Sequence, residues 1–137
     1  MGSRGAFVSV STGNFTFKSG GQNYFSLGTL STDSNVKILV QDKGSVKAPE
    51  YSHTENRVYA ITQDGKLKHV AFYDENHNQT KIIDLLHAHG SQKLQPHIHY
   101  HIDHSDDGIP INDADRMLIE KIKKEYKLKW GKTNIIL

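Results

Sequence analysis

The sequence predicts a single α+β domain, an antiparallel β-meander followed by a C-terminal helix. Three observations carry that expectation: short β-type segments punctuated by Gly, Asn, Asp and Ser clusters, one tight-hairpin dipeptide, and one late stretch whose apolar residues recur every fourth position. At 137 residues the chain has the usual size of one domain and can bury a core without staples.

AFVSV (6–10), NFTFK (14–18), NYFSL (23–27) and VKILVQ (36–41) read as strands and make residues 1–45 a β-rich N-terminal part, with the Ser/Gly-rich stretch 19–35 read as long hairpin loops. RVYAIT (57–62) and LKHVAFYD (67–74) flank Gln63-Asp64-Gly65-Lys66, where the Asp-Gly pair supplies the positive φ angles of a tight hairpin. Glu75-Asn76-His77-Asn78 turns the chain into QTKIIDLLH (79–87), which completes a three-stranded meander. After a Gly-containing loop (90–95) comes PHIHYHID, in which His97, His99 and His101 alternate with Ile98, Tyr100 and Ile102. A strand repeats its side-chain direction every two residues, so the three imidazoles are expected on one face and the three hydrophobes on the other. Residues 46–104 thus form the sheet that carries a histidine cluster. A helix is expected over 112–128, with Asn112 as N-cap, Asp113 and Asp115 in the first turn, and Ala114, Leu118, Ile122 and Tyr126 as the apolar stripe. Lys121, Lys123, Lys124 and Lys127 read as its solvated, dipole-favoured half.

Composition narrows the chemistry. With 17 basic and 15 acidic side chains the net charge is +2, too balanced to announce a nucleic-acid binder by field strength. There are no cysteines, so disulfides and thiolate metal sites are excluded and any metal must be held by histidine and carboxylate. No run of eighteen apolar residues and no export signal is found, so no membrane insertion is expected, and compartment stays open. The anomaly is histidine: six of nine lie between residues 87 and 104, at His87, His89, His97, His99, His101 and His104.

Imidazole accepts a proton, donates one or binds a metal near neutrality, and HxH spacing on a strand lets two rings address one bound group. One reading is metal-independent cleavage of RNA, with His87, His97 and His99 as the acid–base set and Lys47 stabilising the phosphorane; Arg57, Lys68 and Lys81 are further cations. A second is a zinc site built on His97 and His99, with His101, His87 or His89 as the third nitrogen. Asp84, Asp103 and Asp106 are available as ligands or as partners that orient a ring. A third is a non-enzymatic interaction domain. His53, His69 and His77, which stand alone, read as structural histidines.

Two resemblances add to these readings. His97-Ile98-His99-Tyr100-His101-Ile102 resembles the signature of the histidine-triad nucleotide hydrolases and transferases, with Gln95 two residues ahead and Pro96 in place of the usual apolar lead. RGAFVSVSTGNFTF, NVKILVQDKGSVKAPEYSHTENRVYA, LKHVAFYDENHNQTKIIDLLHAH and PHIH resemble a C-terminal domain of Gram-positive phage head-morphogenesis (minor head) proteins, among which polymorphic toxins of ribonuclease type occur, in the assemblage of barnase, EndoU and colicin nucleases. That resemblance implies an RNA substrate, an immunity protein and a larger phage protein as context. It also brings KAPEYSHTENR forward: Lys47 as a catalytic cation, and Tyr51, Ser52 and Arg57, beside His101, as substrate-binding groups, the two hydroxyls offered to a phosphate. The plainer reading has Tyr51 filling the core and Ser52 capping a loop.

Overall fold

The computed structural model describes residues 16–85, 97–100 and 109–131. They form an α+β domain with strands β1 (Thr16–Ser19), β2 (Gln22–Thr29), β3 (Val36–Gln41), β4 (Val58–Gln63), β5 (Lys66–Tyr73), β6 (Gln79–Asp84), β7 (His97–Tyr100) and β8 (Ile109–Pro110), then one helix, α1 (Asp113–Trp130). The eight strands lie side by side in chain order in one sheet.

Short, β-branched and aromatic strands separated by turn residues make that order cheap to reach, because each neighbour is also the next segment of chain. β1 and β2 are joined through Gly20 and Gly21 alone, so the stretch 19–35 holds a tight turn and a long strand rather than long loops. The β4–β5–β6 meander is as expected: Asp64 (φ 54°) and Gly65 (φ 77°) make the left-handed two-residue turn between paired Gln63 and Lys66. The Asp74 carboxylate fixes the next turn by accepting from the backbone N–H of Asn76 and Asn78 (2.8 and 2.9 Å). AFVSV lies outside the described residues.

One pair departs from the expected antiparallel pattern. β3 and β4 run parallel, Val36 opposite Val58 through Val40 opposite Thr62. Parallel neighbours cannot be joined by a hairpin, so the chain between them, residues 42–57, must cross over one face of the sheet. It does so as an irregular loop, with no helix.

The two faces are therefore sealed differently. On one, α1 packs Ile119, Ile122 and Trp130 onto Phe25, Leu27, Leu30, Val36, Ile38, Val70, Ile83 and Ile98. On the other, the crossover loop brings Val46 and Ala48 onto Tyr24, Leu39, Tyr59, Ile61, Ala71 and Tyr73. Asn112 caps α1 as expected, its side chain accepting from the Asp115 N–H at 2.7 Å. The helix runs two residues beyond 128; of its expected stripe Ile122 is buried and Leu118 and Tyr126 pack against the same cluster, whereas Ala114 is exposed and Asp115 beside it is buried and held by the Lys81 ammonium at 3.1 and 3.2 Å. That pair, with Glu125 accepting from the Ser31 N–H (2.5 Å), ties helix to sheet.

Candidate active site on the crossover face

The crossover loop cannot satisfy its own backbone as a helix does, and the sheet beneath supplies the missing donors and acceptors. The Tyr24 hydroxyl donates to the Lys47 carbonyl, and the Tyr73 hydroxyl to the Pro49 carbonyl. Gln41 accepts from the Lys47 N–H (2.9 Å) and donates to the Ser45 carbonyl (2.6 Å). The Tyr59 hydroxyl accepts from the His53 N–H at 3.1 Å. Burial pushes the Tyr24 and Tyr73 hydroxyls far above the ordinary tyrosine range, so both remain donors that fix the loop rather than proton-transfer groups.

Beneath and beside this loop lies a cleft of about 800 Å³, whose lining includes Lys47, Glu50, Tyr51, His69, Asp74 and Ile82. The sequence reading gives His69 a structural role, and the structure adds that it lines this cleft. A bulge in β5 between the pairs Ile61–His69 and Thr62–Leu67 leaves Leu67 and Val70 in the helix-side cluster and His69 on the crossover face. There it is paired in register with Asp84, and the His69 Nε2 stands 3.8 Å from the Asp84 carboxylate. Both groups are deeply buried, at 8 % and 4 % exposure. Asp84 in turn is opposite His97 on β7, and Ile82 is opposite His99. Across β5, β6 and β7 the register thus reads His69, Asp84, His97. Ile98, between the two β7 histidines, is buried in the helix-side cluster, as the alternation in HIHY requires.

The other expected residues fall on both sides of this row. Lys47 lines the cleft, and its ammonium rests over the β1–β2 turn, 3.0 Å from where a Cβ on Gly20 would stand. Tyr51 also lines it and is 63 % exposed, so it does not fill the core. Ser52 is 4 % exposed and spends its hydroxyl on the Thr54 carbonyl (2.6 Å), a loop role rather than a substrate contact. Arg57 donates to the Ser34 carbonyl (2.9 Å) and to the Thr54 hydroxyl (3.1 Å), which holds the crossover's end against the β2–β3 connection instead of facing the cleft. Lys81 belongs to the helix face, paired with Asp115 and 4.6 Å from the centre of the Phe72 ring. His53, edge-on to Phe17, and His77, whose Nδ1 lies 2.8 Å from the Ser52 carbonyl, are in structural positions. His87, His89, His101 and His104 lie outside the described residues, as do Asp103 and Asp106.

Among the described residues no group of three or more histidine, aspartate and glutamate side chains is gathered to hold a metal ion. Among them, too, no helix is long and apolar enough to cross a membrane. No family model matches the chain, and neither a curated protein nor a solved structure matches it.

Proposed function

We propose that the crossover face cuts RNA by histidine acid–base catalysis, without a metal, and that the domain acts as a toxin of the ribonuclease type. The observation that carries this is the register row His69, Asp84, His97 across three adjacent strands, of which His69 lines a cleft that Lys47 also lines. A carboxylate beside an imidazole stabilises its charged form, which suits His69 to proton transfer. In the proposed reaction His97, with His99 two residues along the strand, removes the ribose 2′-hydroxyl proton. The 2′-oxygen attacks phosphorus, the bond from phosphorus to the 5′-oxygen breaks, and protonated His69 gives its proton to that oxygen, leaving a 2′,3′-cyclic phosphate. The Lys47 ammonium, exposed on a flexible stem, offsets the extra negative charge of the phosphorane. His87, included in the catalytic set by sequence, lies outside the described residues and its place is taken here by His69. The phage-protein resemblance supports the toxin context and an immunity protein as partner.

Incubation of the purified domain with total RNA in EDTA tests the reading. The wild type is expected to cut, and His97→Ala and His69→Asn to lose at least about a hundredfold in rate. Undiminished cutting by both variants would sink it. Cutting that stops in EDTA and returns with Zn²⁺ would replace it with the metal site, and hydrolysis of dinucleotides alone with a histidine-triad activity.

A further inference from the structure

Tyr51 is the largest exposed ring in the cleft, and nothing in the proton-transfer scheme uses it. Its backbone is not loose. Tyr51 forms an isolated antiparallel bridge with Asn78, the Ser52 N–H donates to the His77 carbonyl at 3.0 Å, and Pro49 behind it is held by the Tyr73 hydroxyl. An aromatic ring that stays 63 % exposed on so fixed a stretch of chain is a contact surface held ready, at little entropic cost when a partner covers it.

The surroundings say what kind of partner. Glu50, next to Tyr51 in the chain, and Asp74, whose N–H donates to the carbonyl of Asn78 in the bridge, also line the cleft, so a phosphate is repelled there, whereas an uncharged ring bearing N–H donors is complementary to carboxylates. Position adds a length. The Tyr51–Asn78 bridge is at the start of β6 and Asp84 at its end, six residues of strand, or about 20 Å at ~3.3 Å per residue. We infer that Tyr51 is the stacking platform of a nucleobase subsite at the far end of the cleft, so that the ligand is a single-stranded oligonucleotide lying along β6 rather than a mononucleotide or dinucleotide. The inference rests on the reading that the cleft takes RNA, and it assigns Tyr51 a ring contact with a base where the sequence offered a hydroxyl contact with phosphate.

A fluorescent 2′-deoxy pentanucleotide tests this, because it lacks the attacking hydroxyl and is bound without being cut. Binding by anisotropy is expected to weaken roughly tenfold in Tyr51→Leu and to stay within about twofold in Tyr51→Phe, the range that base–aromatic stacking supplies. An abasic pentamer of the same charge is expected to bind wild type and Tyr51→Leu alike. Equal binding of the normal pentamer to wild type and Tyr51→Leu overturns the inference, as does an abasic pentamer that binds wild type as tightly as the normal one. If RNA is cut while pentamer binding ignores Tyr51, only the subsite fails; if the pentamer binds through Tyr51 and RNA is never cut, only the proposed activity fails.

Discussion

The two faces of this sheet are built from the same strands and hold together by different means. The helix face is closed by α1, which satisfies its own backbone and so presents mainly hydrocarbon, with Ile119, Ile122 and Trp130 over an apolar floor and one ion pair, Asp115 with Lys81, at its edge. The crossover face is closed by an irregular loop whose carbonyls need donors, and the sheet answers with tyrosine hydroxyls and the Gln41 amide. Once a face must carry polar groups to hold its cover, a buried His69–Asp84 pair and a cleft can be accommodated in it without breaking a dry core. Stability and the proposed chemistry are thus divided between two sides of one layer.

That division is open to attack from either side. The largest effect is expected from Ile122→Ala, which opens a cavity in the fully buried helix face and should cost about 3 kcal/mol in urea unfolding, while the folded fraction keeps its cleavage rate. A parallel loss of specific activity would show that the faces are not separate. Asp84→Asn keeps the shape of the crossover face and removes its charge. RNA cleavage should fall about a hundredfold, with a smaller change in unfolding midpoint than Ile122→Ala produces. Tyr73→Phe leaves the Pro49 carbonyl without its hydroxyl donor and should cost about 1–2 kcal/mol, seen as faster amide exchange confined to residues 44–52. Uniform loosening of the sheet would contradict a local role. The smallest effect is a pH slope. Burial, then Lys37 and His77, hold the His53 imidazole below its ordinary 6.5, so the unfolded chain takes up this proton more readily than the folded one. Its contribution to stability is therefore present above pH 6.5 and is lost as pH falls through its lowered value in the folded state. His53→Gln should flatten the acid side of the melting-temperature profile, and an unchanged slope would remove His53 from the account.

What the sequence made legible follows the range of the interactions. Among the described residues the strands, the Asp64-Gly65 turn, the Asn112 cap and the meander are local and legible from alternation, breakers and capping chemistry. The parallel β3–β4 pair was missed, since a stretch of turn residues without a helix gives no sign of a crossover, and the two-residue β8 offers no period at all. The helix stripe holds at Leu118, Ile122 and Tyr126 and fails only at its start, where Asp115 rather than Ala114 is buried, against Lys81 thirty-four residues away. The site shows the same limit. His97, His99, Asp84 and Lys47 drew notice through pattern or position, whereas His69, between Lys68 and Val70, belongs to no motif, and the bulge beside it breaks the alternation that would group it with apolar Leu67. Ser52 and Arg57 were singled out with the motif around them, and the loop uses both for itself.

Because spatial order in the sheet follows chain order, synthesis from the N-terminus lays the strands down in the sequence in which they pair. His69 and Asp84 are made five and six strands in, the strand bearing His97 seventh, and the helix that seals the opposite face after them all. Within these residues, then, no shorter N-terminal stretch holds the proposed catalytic row, which is complete only once the seventh strand has been made.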